Sequence, residues 1–197
     1  IKVAENAKET LNDAWELVKD GTISPLIILD NEKIGTLYPN LAVSKFWNTA
    51  NMSMAGLFHL FNMITARDSS YTSFDSNDYK TILDSGLMVF GASTVENWQD
   101  PVSISRAVRE NLQNNLLSGG IDLSTGTHAA PVVIGNKEHL DTVPQSSIDQ
   151  ATAQLNRVLH TDSVVHSGIY TGDQETLTVF TTIGGLNKPK EILKSLS

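Results

Sequence analysis

"SSYTSFDSNDYKTIL", residues 69–83, is a polar loop that runs into an apolar helix, with two acids three residues apart, Asp75 and Asp78, where the helix begins. Capping accounts for such a pair. Ser73 or Asp75 can accept a bond from a first-turn N–H, and Asp78 sits where the positive helix end favours a carboxylate. Taken alone the pattern favours capping, because caps are common and catalytic acids are rare. What the acids do beyond that depends on the chain around them.

Composition narrows the class. The 197 residues suffice for one large domain or two small ones, and 40% hydrophobic with 18% charged residues is the balance of a globular protein with a sizeable core. A formal charge of −8 and the lack of any basic run argue against direct nucleic-acid binding. There is no cysteine, hence no disulfide framework and no thiolate metal site, which suits a reducing, cytoplasmic setting. No apolar run reaches membrane-spanning length, so no membrane partner is expected. The chain starts at Ile1 inside an apparent helix, which is the pattern of a segment missing upstream.

Working outward from the loop, residues 3–18 carry a helical stripe, Val3, Ala7, Leu11, Ala14 and Val18, ended by Gly21. "SPLIILD" (24–30) predicts a strand buried on both faces. Residues 42–66 are a long apolar segment with Ala42, Phe46, Ala50, Leu57, Leu60 and Ile64 at near-helical spacing. Phe58, Phe61 and Met63 widen that stripe, so a buried central helix is expected, about 36 Å long. After the loop come a short helix (76–84) and a strand, "GLMVFGAS" (86–93). A helix follows with Asp100 as N-cap, Pro101 at its first position and a stripe of Ile104, Val108, Leu112 and Leu116. "APVVIG" (130–135) predicts a strand and "SSIDQATAQLNRVL" (146–159) a helix. "SVVHSGIYT" (163–171) and "TLTVFTTIGG" (176–185) predict two strands, joined as a hairpin by "GDQE". "KPKEILKSLS" begins a last helix. The last hundred residues thus read β-α-β-α-β-β, an α+β domain with helices packed on a sheet, and the polar loop at 67–75 is the natural seam.

Three constellations carry chemistry. The acids of the loop are one. Trp47 and Asn51 are another: at i and i+4 they stand one turn apart on one helical face, and an aromatic plane with an amide suits a purine base, although a core Trp and a solvated Asn have the same spacing. Asn31 is the third, directly after the strand ending in Asp30, where ligands of open sheets gather and where turn asparagines are equally common. The five histidines show no metal spacing, and neither a G-x-S-x-G nor an H-E-x-x-H motif is present. "STGTH" (124–128) neither follows a clear strand nor opens a helix, so nothing here cradles a triphosphate.

The order of these pieces resembles the tubulin/FtsZ superfamily over essentially the whole chain. "LIILDNEKI" (26–34) is similar to that family's strand-to-turn segment, and "WNTAN" (47–51) to the start of its core helix, with the guanine-stacking aromatic and base-binding Asn in register. "SFDSNDYKTIL" (73–83) resembles its synergy loop N-x-D-x-x-D, with Ser73 in place of the Asn. "SGLMVFGAS", "DPVSISRAVRENLQNNLL" and the last two strands resemble its activation domain. The glycine-rich phosphate signature is absent, and the family places it upstream of Ile1. "GGLNKPKEIL" and "LDNEKI" look closer to plasmid or phage tubulin-like (TubZ-type) proteins than to divisome FtsZ.

The resemblance implies an α/β protein. Residues 1–66 would be the tail of a Rossmann-like GTPase domain with its long core helix, and 67–197 an α+β activation domain. It implies a GTPase that polymerises head to tail, with GTP/GDP touching Asn31, Trp47 and Asn51, and Mg2+ held by ligands outside this chain. Asp75 and Asp78 become the catalytic pair, completing the pocket of the adjacent subunit. Two acids one helical turn apart point the same way, and positioning a water is most of what phosphoryl transfer asks of a protein. Expected partners are other copies of the protein, an N-terminal GTPase segment, and an adaptor for plasmid segregation or cell division. The competing reading is a stand-alone α+β ligand-binding or interaction domain without catalysis.

Overall fold

The computed structural model describes residues 2–29, 40, 42–113 and 119–196, without the side chains of 43, 49, 50, 53, 54 and 64. The element order is α1 (Lys2–Lys19), α2 (Val43–Thr65), α3 (Ser76–Leu83), β1 (Leu87–Val95), α4 (Ser103–Gln113), a 3-10 turn (Leu123–Thr125) and β2 (His128–Gly135). Then come α5 (Lys137–Leu140), α6 (Gln145–Val158), β3 (Val164–Val165), β4 (Gly168–Thr171), β5 (Leu177–Leu186) and α7 (Lys190–Ser195).

The sheet runs β1-β5-β2, with β3 and β4 lying end to end along the outer side of β2. β5 is antiparallel to both neighbours, and β3 and β4 are parallel to β2. Alternation along β5 sorts the core into two layers. Phe180 stands beside Ala92 and Val132 and meets Phe61 of α2 at 5.6 Å between ring centroids. Thr181, on the opposite face, meets Asn111 of α4. α4 and α6 pack on each other and cover that second face, while α2 and α3 lie on the first. Asn111 is buried yet satisfied. Its Nδ2 donates to Val179 C=O (2.8 Å) and Thr181 Oγ1 (3.1 Å), and its Oδ1 accepts from Ser93 Oγ. With both faces covered, β1, β2 and β5 read as near-continuous apolar runs, and for that reason their positions are visible in the sequence.

Four expectations need correction. The two strands before and after "GDQE" do not form a hairpin, because β2 lies between them and takes β4 on one side and β5 on the other. Residues 163–171 are two short strands interrupted at His166 and Ser167. "SPLIILD" makes a single parallel bridge, Leu26 to Leu87, and its residues 25–29 are half-buried rather than enclosed on both faces. Asp100 and Pro101 stand in a turn ahead of α4, which begins at Ser103, while Leu116 lies outside the described residues.

The long helix is the largest departure. Its length matches, but α2 is not a buried helix. Among its described side chains only Phe61 and Thr65 are buried, while Trp47 is 60% and Met52 64% exposed. One face packs through Phe58 against Phe90 and through Phe61 against Phe74, Tyr79 and Phe180. Leu57 packs on the core as well, while Trp47, Met52, Leu60 and Met63 stand exposed. α1 likewise has no buried residue, and its half-buried side runs through Leu11, Trp15 and Val18, with Val3 and Ala7 exposed.

Candidate functional site

The loop that carries the acids is fastened to β4 along its length. Ser69 Oγ donates to Ile169 C=O, and the Ile169 N–H donates to Thr72 C=O at 2.8 Å. The buried Tyr170 hydroxyl accepts from the Phe74 N–H (2.9 Å) and donates to the Phe74 C=O (2.5 Å). Tyr71 OH donates to Asp141 Oδ1 at 2.6 Å, holding the outer side of the loop to the end of α5. Phe74 is fully buried among Phe61, Tyr79 and His166. The approach requires Gly168: a Cβ there would stand 2.7 Å from Phe74 Cβ. Tyr79, one turn past Asp75, donates from its hydroxyl to Asn62 Oδ1 (2.6 Å) and so ties α3 to the end of α2. Burial pushes the Tyr79 phenol well above its ordinary value, so it stays a neutral donor.

On this anchored loop the two acids do different things. Asp75 is the N-cap of α3, with extended backbone (φ −74°, ψ 169°), and its Oδ1 accepts from the N–H groups of Asn77 (2.7 Å) and Asp78 (2.9 Å). Asp78 makes no capping bond. Its Oδ1 stands 3.2 Å from Nδ1 of His166, and each side chain is about a quarter exposed (28% and 25%). His166 sits between β3 and β4, where its N–H donates to Ala129 C=O at 2.9 Å. His128, at the start of β2, adjoins it. Burial, and then the charge of His166, hold the His128 imidazole below its usual value. The Tyr170 phenol is raised chiefly by burial, with its bond to the Phe74 backbone opposing and the charges of Asp75 and Asp78 assisting. The sequence search missed His166, which lies 88 residues beyond Asp78. Its one local signal was a polar residue interrupting an apolar run.

Trp47 and Asn51 lie far from the acids. Both are exposed near the start of α2, Trp47 with its ring edge-on to Phe46 at 5.3 Å. From Trp47 to Thr65 is about 27 Å of helix. The acids follow its far end, so Trp47 and Asn51 stand near one end of α2 and the two carboxylates beyond the other. Asn31 lies outside the described residues. A cleft of about 370 Å³ between Leu60, Met63 and Arg67 of the α2 end and Thr171–Gln174 contains neither acid. Among the described residues no group of three or more His, Asp or Glu side chains is placed to hold a metal ion, and no helix is long and apolar enough to cross a membrane.

No family model and no curated protein sequence matches the chain. Solved structures do. The fold is similar to a GDP-form protofilament of TubZ from Bacillus thuringiensis serovar israelensis, with a TM-score of 0.84 and 16% identity over 98% of this chain and 52% of that one. It is similar to FtsZ from M. jannaschii (TM-score 0.70, 18% identity, 91% of this chain and 51% of that one). It is also similar to CetZ2 from Haloferax volcanii in a GTPγS-bound protofilament (TM-score 0.68, 18% identity, 87% and 50%). The chain spans about half the length of each.

Proposed function

We propose that this chain, which has the fold of the C-terminal part of tubulin/FtsZ-type proteins, is the portion of a GTP-driven filament protein that completes the hydrolytic site of its neighbour. The observation that carries the reading is the polarity of α2. A nucleotide platform at one pole and a water-orienting carboxylate at the other, about 27 Å apart, cannot meet within one subunit. They meet when copies stack head to tail, a heterologous contact that does not close. Residues 1–66 are then the end of a nucleotide-binding domain and 67–197 the domain that activates hydrolysis.

In this scheme Trp47 stacks on the guanine of GTP or GDP and Asn51 bonds its edge, with Asn31 on the same side. The Asp78 carboxylate, presented by the anchored loop, accepts a bond from the water that attacks the γ-phosphorus in the adjacent subunit. The bond to the β–γ bridging oxygen breaks, and GDP and phosphate leave. Asp75 fixes the start of α3 and thereby the direction of Asp78. Mg2+ would neutralise phosphate charge, with its ligands outside this chain. The similarity to a TubZ described as a type III plasmid segregation protein favours DNA segregation over cell division as the task, through an adaptor and in the cytoplasm.

The test is the concentration dependence of phosphate release by the complete protein, followed together with light scattering. Release per subunit should stay near zero when dilute and climb to a plateau as filaments form. A constant rate per subunit down to the dilute limit would mean that each subunit holds a full site. Trp47→Ala should weaken nucleotide affinity by about 1–3 kcal/mol, the range for an aromatic stacked on a base. Its 60% exposure predicts little change in thermal stability. A large loss of stability with unchanged affinity would return Trp47 to a packing role.

A further inference from the structure

We propose that His166 is the positioning residue for Asp78: its imidazole stands against one carboxylate oxygen and limits the turning of the carboxylate, so that the other oxygen is aimed at the water. The inference rests on the hydrolytic reading of Asp78. It adds a residue that no sequence motif identifies. Asp78 Oδ1 is 3.2 Å from His166 Nδ1, an ion-pair contact. The pair lies at bonding distance without the alignment of a hydrogen bond, as catalytic contacts often do before the site is completed. The imidazole is itself held. Its backbone N–H is bonded to β2, and its ring lies against the buried Phe74 ring, with 6.2 Å between centroids. A side chain fixed at backbone and ring, a quarter exposed, and facing an acid that no helix-capping bond employs is suited to orient that acid.

The contact separates two substitutions. In His166→Asn a side-chain amide of similar reach takes the place of the imidazole beside the carboxylate, so the contact can be kept. In His166→Ala nothing stands there, and the carboxylate is free to turn.

The experiment measures kcat and KM for GTP hydrolysis per filamentous subunit of the complete protein. It compares wild type, His166→Asn, His166→Ala and Asp78→Ala, with folding checked by circular dichroism. His166→Ala should lose about tenfold in kcat with KM near the wild-type value, as outer groups that orient a reacting group do. His166→Asn should recover most of that loss. Equal losses in folded His166→Asn and His166→Ala overturn the proposal, and so does wild-type activity in a folded His166→Ala. Wild-type activity in Asp78→Ala is a separate result: it overturns the hydrolytic reading itself.

Discussion

Asp78→Ala in the complete protein should cut GTP hydrolysis per filamentous subunit about a hundredfold, the scale of losing a positioned polar group. Nucleotide binding should stay near normal, because Asp78 lies beyond the far end of α2 from Trp47 and Asn51 and, in the proposed head-to-tail stacking, faces another subunit's pocket. Assembly with GTP should persist, and filaments should become long-lived. Stability should change little, since Asp78 makes no capping bond and is partly open to solvent. Asp75→Ala should separate from it. Losing the two bonds to Asn77 and Asp78 N–H costs about 1 kcal/mol of helix stability, and hydrolysis should fall less than in Asp78→Ala. Mixing Asp78→Ala subunits into wild type should depress the rate in proportion to the mutant fraction, each mutant loop silencing one neighbouring site. The measurement is phosphate release beside light scattering. Equal rates for both alanine variants and wild type would leave the two acids as helix-start residues and nothing more.

Phe74→Ala should be the most damaging substitution near the site for stability, at about 3–5 kcal/mol, the range for deleting a buried aromatic ring. Phe74 is fully enclosed and joins three structures at once: α2 through Phe61, α3 through Tyr79, and the β3–β4 link through His166. Its backbone N–H and C=O are both held by the Tyr170 hydroxyl, so the ring and the loop that aims Asp78 move together. Chemical denaturation of the 197-residue chain, followed by circular dichroism, should show a lower midpoint with an unchanged slope. Phe74→Leu, which refills most of the space, should recover much of the loss. A cost below about 1 kcal/mol would show that the loop keeps its place without this ring.

The contrast between these two substitutions follows from how the site is built. Phe74 and Tyr170 are spent on holding the loop, and Asp78 is left unspent by the fold. A carboxylate that neither caps its helix nor joins a lysine or arginine is expensive to hold in a fixed direction. The imidazole of His166 is the group facing it among the described residues.

Features that depend on neighbours within a few residues are legible in the sequence. Asp75 caps α3 because its carboxylate reaches N–H groups two and three positions ahead, and "SFDSNDYKTIL" shows that spacing. α2 and α6 follow from helical periodicity, and β1, β2 and β5 from apolar runs long enough to be covered on both faces. The order of these pieces carried the likeness of fold. Features that depend on distant partners emerge with the assembled sheet. "GDQE" has the spacing of a hairpin turn, yet the sheet places β2 between β4 and β5, because strand pairing is chosen by which edges the whole sheet leaves open. The apolar girth of α2 reads as burial, but one sheet face can cover only one side of a helix, and Trp47 and Met52 stand exposed. His166 and Asp78, 88 residues apart, meet because the loop and β4 are bonded together. No local pattern could encode that contact, since it depends on hydrogen bonds made only after the strands have paired.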